Sequence, residues 1–215
     1  MFAWPLTGND HRSLLLEGPR VILRAPRSRD WRAWAALRRE SRDFLVPWEP
    51  TWPHDALTRG AFRRRLRYHN SEWRSGSGAA FFIFHRTDGQ LVGGVTLANI
   101  RRGVAQTGSL GYWVGARYAR QGFMTEGLGL VLDYAFETIG LHRVEAACLP
   151  DNAASQALLQ RLRFSREGYA RQYLRINGSW RDHVLYGLLR ADHRAQRNAG
   201  AGPAIRQAWP ASPES

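Results

Sequence analysis

Gly111-Tyr112-Trp113-Val114-Gly115 and, after four intervening residues, Arg120-Gln121-Gly122-Phe123-Met124-Thr125-Glu126 form the stretch whose reading decides the fold. The first run reads as a strand that stops at a glycine. From Met124 onward the apolar residues Met124, Leu128, Val131, Leu132, Ala135, Phe136 and Ile139 fall on one face of a helix. Gly140 can end it. A strand that passes through a short loop into a helix leaves the first backbone N–H groups of that helix unpaired and facing outward. They make an anion site suited to a pyrophosphate. Gly122 lets the backbone approach closely. One glycine at such a junction does not by itself define a phosphate site.

Working outward, Arg20–Ala25 reads as a strand. Ser28 or Asp30 can cap a helix through Trp31, Trp34 and Leu37. Pro47 and Pro50 bracket Trp48-Glu49 in a rigid loop. Thr58 can cap a second helix with Phe62, Leu66 and Trp73 on one side. Ala80–His85 is a short apolar run and reads as a buried strand. Asp88-Gly89 signals a hairpin turn, and Leu91–Ile100 is the next strand, its Gly93-Gly94 pair suggesting a bulge. Ser109–Val114 is the third strand of this group. After the long helix come a strand at Arg143–Ala147, a short helix at Asn152–Leu162 and a closing hairpin, Ser165–Ile176 and Trp180–Leu189, turning at Asn177-Gly178. The order predicts an α+β chain with a mixed sheet and argues against a dinucleotide fold, which needs regular βαβ alternation. Residues 1–18 read as an N-terminal extension, 19–193 as the domain, and 194–215, rich in Ala, Gly, Pro and Ser, as a disordered tail.

Composition bounds the function. The chain has 215 residues with 9 Trp, 9 Phe and 7 Tyr, enough for a sizeable core. Its formal charge is +13, and all 31 basic residues are Arg. Residues 1–70 carry 14 Arg against 7 acids, 76–160 carry 6 of each, and 161–215 carry 10 Arg against 4 acids. The flanks are basic and the middle is neutral. Coding bias explains Arg in place of Lys more readily than it explains the excess, which suits an anionic partner such as RNA. The one cysteine, Cys148, excludes a disulfide framework and reads as core; the seven scattered His lack ligand spacing, so no metal is expected. No apolar run approaches a membrane span and the start has no secretory pattern, so a soluble cytoplasmic protein without a membrane partner is expected.

The quoted segment resembles the acetyl-CoA pyrophosphate loop of the GNAT N-acetyltransferase superfamily. More narrowly, the chain is similar to the RimJ/RimL-type branch, the ribosomal-protein-alanine N-acetyltransferases. The resemblance covers residues 19–190. It rests on Phe44-Leu45-Val46-Pro47-Trp48-Glu49-Pro50, Leu110–Val114, Gln121–Glu126, Leu141–Ala146, Asp151-Asn152-Ala153-Ala154-Ser155, and the closing Tyr173–Gly178 with Trp180–Val184. Each piece is degenerate, but all stand in the right order. Four positions depart from the pattern. Ala119 and Met124 replace the usual first and last residues of the loop, leaving Arg120 to compensate. Leu159 stands where the superfamily often has the Tyr acid that protonates CoA thiolate. Arg163 replaces a usual Gly. Leu174 stands where some RimL-type enzymes carry a Glu.

The resemblance implies the GNAT fold, a mixed and mostly antiparallel sheet splayed in the middle with flanking helices. It implies acetyl-CoA as co-substrate and no metal. The sheet would open after the strand ending near Val114, and pantetheine would pair with Tyr112, Trp113 and Val114. Arg120, Gln121, Gly122, Phe123, Met124 and Thr125 would hold the diphosphate, and Asn152 the pantetheine. A backbone N–H near Trp113 or Val114 would stabilise the oxyanion. The catalytic candidates are Glu49 as base, Asn99 orienting a water, and Ser155 donating to the departing thiolate. The plain alternatives are a loop salt bridge to Arg for Glu49, a turn residue for Asn99, a helix N-cap for Asn152, an ordinary helix serine for Ser155, and core or cofactor wall for Tyr112. The implied acceptor is a protein N-terminus, a ribosomal protein starting with Ala or Ser, with ribosome or rRNA contact through the basic flanks. A small amine such as an amino sugar, antibiotic or polyamine is the alternative acceptor. A non-catalytic, ribosome-associated assembly factor is the third reading.

Overall fold

Eight strands pair in the order β1-β2-β3-β4-β5-β6-β8-β7 in a computed structural model that describes residues 13–199. They are β1 (Leu15–Glu17), β2 (Val21–Arg24), β3 (Ala79–His85), β4 (Leu91–Arg101), β5 (Thr107–Val114), β6 (Arg143–Cys148), β7 (Ser165–Ile176) and β8 (Ser179–Leu189). Only β5 and β6 run parallel; every other pair is antiparallel. The helices are α1 (Trp31–Glu40), α2 (Arg42–Leu45), α3 (Arg59–Ser75), α4 (Phe123–Asp133), α5 (Ala153–Arg161) and α6 (Arg190–Ala199). This is the mixed α+β sheet expected. No described helix is long and apolar enough to cross a membrane.

The sheet is covered on both faces because its buried strands are apolar on both sides. Phe82 turns toward Trp34, Leu37, Phe62 and Leu66 of α1 and α3. Its neighbours Phe81 and Ile83 turn to the opposite face, where Leu128, Val131 and Leu132 of α4 form the larger cluster. Thr58 caps α3 by accepting from the Ala61 N–H at 3.2 Å, as its spacing predicts. Asp30 serves differently from a simple cap. Its carboxylate accepts from the Arg27 N–H at 2.7 Å and pairs with the Arg24 guanidinium.

The structure corrects several boundaries. Leu15–Glu17 lies in the expected extension but pairs with β2 as an edge strand; residues 1–12 fall outside the described range. The expected tail begins inside α6, while residues 200–215 lie outside the described range. Helix α6 is held to the long helix by buried His193, 2.7 Å from Asp133 Oδ1, by Arg197 on the same carboxylate, and by Arg194 on Glu137 at 2.7 Å and 2.9 Å. The long helix itself changes pitch. After Asp133, a π-helical turn spans Tyr134–Thr138, and the Ile139 N–H reaches the Tyr134 carbonyl at 2.9 Å. Gly140, at φ +78°, ends it as predicted. The bulge expected at Gly93-Gly94 lies beside the pair, where Ile83 faces Gly93 and Phe84 faces Leu91. The glycines have another role. A Cβ at Gly93 would meet the Trp113 carbonyl oxygen at 2.3 Å, and one at Gly94 the Trp113 indole nitrogen at 2.6 Å.

Candidate active site

Strands β5 and β6 pair over only four rungs, from Thr107 with Arg143 to Leu110 with Ala146. Beyond Leu110 they diverge. The opening therefore begins inside β5, before Val114 rather than after it. Gly111–Val114 stay bonded to β4 while Ala147 and Cys148 stay bonded to β8. A cleft of about 1430 Å³ fills the gap and runs from the loop before α4 to the closing hairpin.

Register decides which backbone groups face this gap. The Gly115 N–H bonds the Val92 carbonyl across to β4 at 2.9 Å. In an antiparallel pair, hydrogen-bonded rungs alternate, so Trp113 and Gly111 also spend their N–H and C=O groups on β4. Tyr112 and Val114 turn theirs to the open side. Of the two expected oxyanion donors, Val114 is therefore available and Trp113 is not. The Trp113 ring instead stands edge-on to Phe82, with centroids 6.4 Å apart.

The loop before α4 turns through two left-handed residues. Arg120 and Gly122 take positive φ values of +61° and +82°, with Gly122 at the N-cap. The first N–H groups of α4 lack intrahelical partners. Arg120, Gly122, Met124 and Thr125 line the cleft. The side chains of Gln121 and Phe123 do not. Gln121 donates to the Arg117 carbonyl at 2.6 Å, and Phe123 is buried edge-on to His85 and Tyr118. Their contribution to an anion is limited to backbone N–H.

A network that local spacing does not reveal fixes this loop. Glu126 Oε1 accepts from the Arg20 and Val21 N–H groups at 2.7 Å and 3.1 Å, and Oε2 from Arg20 Nε at 3.1 Å. The same guanidinium donates to the Gln121 carbonyl at 3.0 Å. More than 100 residues separate the partners, so only the assembled sheet unites them.

On the far wall, Asn152 caps α5 by accepting from the Ser155 N–H at 3.0 Å, which leaves its amide nitrogen for the cleft. The Ser155 hydroxyl lies 2.6 Å from the Tyr112 phenol, and the Cys148 thiol lines the same wall. Burial pushes the Tyr112 phenol well above its ordinary range and raises the thiol, so both keep their protons at neutral pH. Leu159 is fully buried in the core. A phenol does reach α5, but it comes from β5.

Glu49 is engaged. Arg38 donates to both its carboxylate oxygens, and Trp52 Nε1 donates to Oε2 at 2.7 Å. It is a salt bridge on the Pro-bracketed loop, and no lone carboxylate is left to take a proton. Its carbonyl accepts from the Asn177 N–H at 2.9 Å, tying this loop to the turn of the closing hairpin. A smaller pocket of about 130 Å³ lies behind, between Trp34, Arg38, Trp52 and Arg65. Asn99 is exposed at a positive φ of +52°, at an irregularity of β4, and lines the large cleft.

Two further cleft residues escaped sequence reading. His183 is buried in β8, with Nδ1 3.0 Å from the Arg181 carbonyl. A carbonyl only accepts, so Nδ1 is the donor in this contact, and in the neutral ring Nε2 would hold the lone pair. Tyr173 stacks edge-on to it at 5.6 Å. Tyr173 and Leu174 are carried out by an irregularity of β7 that Asp182 pins, accepting from the Gln172 N–H at 2.8 Å and the Tyr169 phenol at 2.7 Å. All four carboxylates lining the cleft are ion-paired: Glu49 with Arg38, Glu145 and Glu167 with Arg143, and Asp151 with Arg181.

The chain is similar to known acetyltransferases. The model of the acetyltransferase (GNAT) domain matches residues 20–165. A probable N-acetyltransferase of Bacillus subtilis, YjcK, is 34% identical over 178 residues, 83% of this chain and 98% of the relative. The ribosomal protein uS5-alanine N-acetyltransferase of Escherichia coli is 36% identical over 174 residues, 80% of this chain and 89% of the relative. Among solved structures, Mycobacterium smegmatis RimJ in complex with CoA-disulfide superposes with a TM-score of 0.79 at 30% identity, covering 87% of this chain and 95% of that one.

Proposed function

This chain belongs to the GNAT acetyltransferase family, alongside the RimJ and RimL enzymes, and on that premise we propose that it moves an acetyl group from acetyl-CoA to the α-amine of a ribosomal protein beginning with Ala or Ser. One observation carries the donor half of this reading. The free edge of Tyr112 and Val114 runs toward the open N-terminus of α4 within a single cleft. Acetyl-CoA, when bound, supplies a thioester whose acetyl group the amine takes. Arg120–Thr125 would hold the diphosphate, the Tyr112 and Val114 backbones and the Asn152 amide the pantetheine arm, and the Val114 N–H the carbonyl oxygen.

The acceptor half rests on charge. With all four described cleft carboxylates occupied by Arg, the cleft offers no free anionic cluster among the described residues to attract a polyamine. A peptide α-amine, with a pKa of about 7.7–8.0, is partly neutral already and needs only a place for its proton. His183 Nε2, directly or through water, is the group we assign to that task, in place of Glu49. Phe44, Trp48, Tyr173 and Leu174 give the mouth apolar surface for the first side chains of a polypeptide. Ser155, backed by the Tyr112 phenol, returns a proton to the departing thiolate.

The test is transfer from acetyl-CoA to peptides beginning Ala or Ser, each with the α-amine free or blocked, read by mass spectrometry. Acetylation confined to the free α-amine supports the reading. Transfer to no α-amine, or a polyamine outcompeting every peptide, overturns it.

A further inference from the structure

Helix α3 carries a ridge that the transfer chemistry does not use. Arg59, Arg63, Arg67 and Arg74 are all exposed, and none has an ion pair among the described residues. At about 100° per residue they fall within about 80° of the helix circumference, and at about 1.5 Å per residue they span about 22 Å. The first three recur once per turn. Asn70 lies among them, and the stripe holds no apolar residue and no acid. The only acid on α3, Glu72, projects from the opposite side. Arg64 is set apart by its pairing with Asp55.

We propose that this ridge docks the phosphate backbone of RNA. A straight row of unpaired guanidiniums at one per turn matches a linear polyanion. The lack of apolar side chains argues against membrane insertion and against a packed protein interface. The ridge also faces away from the acceptor machinery. Arg65, on the opposite flank of the same helix, lines the pocket beside Glu49, with its guanidinium 5.7 Å from the Trp34 ring. RNA on the ridge therefore leaves the cleft open, and the docking stands independently of the acceptor assigned above.

The experiment compares R59Q/R63Q/R67Q with R101Q/R166Q/R171Q, which removes the same charge from exposed arginines elsewhere. Gln and Arg have similar helix propensity, so the fold is preserved. Binding to a fluorescein-labelled RNA hairpin is followed by anisotropy across a salt series. The ridge variant should bind about tenfold more weakly and lose about 2–3 from the slope of log K against log salt. The control should stay within about twofold of the unaltered protein, and R59K/R63K/R67K should recover the slope. Transfer to a short peptide should be unchanged in all three. Equal losses in the ridge and control variants overturn the proposal, as does stronger binding to phosphatidylglycerol vesicles than to RNA.

Discussion

Gly93→Ala should disable the site from the strand behind it. The added Cβ would lie 2.3 Å from the Trp113 carbonyl oxygen and 3.1 Å from Val114 Cα, against a floor of 3.0 Å for such contacts. Both obstructing atoms are backbone, so no side chain can rotate away. Relief requires β4 and β5 to separate by about 0.7 Å, the difference between 2.3 Å and 3.0 Å. Crowding of this kind costs about 1–3 kcal/mol. For a chain of this size each kcal/mol lowers Tm by about 2–4 °C. The displaced segment carries the Val114 N–H, and a misplacement of about 1 Å can cost about 10²-fold in rate. The expected result is a folded protein with a lower Tm and turnover reduced about 10- to 100-fold. The assay is thiol release with saturating acetyl-CoA and an Ala-initiated peptide, beside calorimetric melting. Gly129→Ala is the matched control, because its Cβ meets nothing within 4 Å on the exposed side of α4. It should stabilise the protein by about 0.4–1 kcal/mol and leave turnover alone. A Gly93→Ala protein with unaltered Tm and turnover would refute the reasoning.

Gly122→Val should lower acetyl-CoA affinity at least about tenfold by calorimetry, because a β-branched residue at φ +82° is strained by about 1–2 kcal/mol and its Cβ would meet Arg20 Nη2 at 2.9 Å. Tyr112→Phe and Ser155→Ala should each lower kcat about tenfold or more with donor affinity nearly unchanged. Their double variant should be little worse than the poorer single, as expected of one relay; equal losses in kcat and affinity would make both mere anchors. Burial, aided by the charge of Arg65, pushes His69 down to about 4 from its ordinary 6.5. Between those values the unfolded chain binds a proton the folded one refuses, so stability rises with pH across that window, by about 3 kcal/mol at most. Glu72, 3.5 Å from His69 Nδ1, has its pKa raised by burial, which acts on stability in the opposite direction. The check is therefore His69→Gln, which should flatten the rise in urea melts run from pH 4 to 6.5.

What the sequence disclosed is what local periodicity controls. The apolar face of α4, the Thr58 cap and the Asn177-Gly178 turn, with positive φ at both residues, are all local. β1 was hidden because three residues carry no pattern. α6 was hidden because its composition resembles a tail and its anchor, Asp133, is 60 residues away. The same division holds at the site. The residue types of the loop and of Asn152 were readable, but which N–H of β5 faces the gap depends on register with β4. In the sequence, Glu49 offers a carboxylate on a rigid loop. Its occupation by Arg38 and Trp52 is a tertiary fact, although the surplus of Arg made a salt bridge the plain alternative. Tyr112 beside Ser155 required two elements to meet across the opening, 43 residues apart in the chain.

The four-rung seam between β5 and β6 makes the molecule mechanically two wings on one spine. Beyond the seam the sheet has room for one more strand, and none of the described residues supplies it. A ligand lying along Tyr112 and Val114 would complete the architecture as well as react within it. It would also stabilise the folded state by mass action, about 2.7 kcal/mol at a hundredfold excess over Kd. Amides at the end of the seam, near Leu110 and Ala146, would exchange fastest in the free protein and slow most on loading. The wing that carries β7 and β8 would then be set in place by the donor before the acceptor arrives, so the order of substrate binding would follow from how the sheet is sewn.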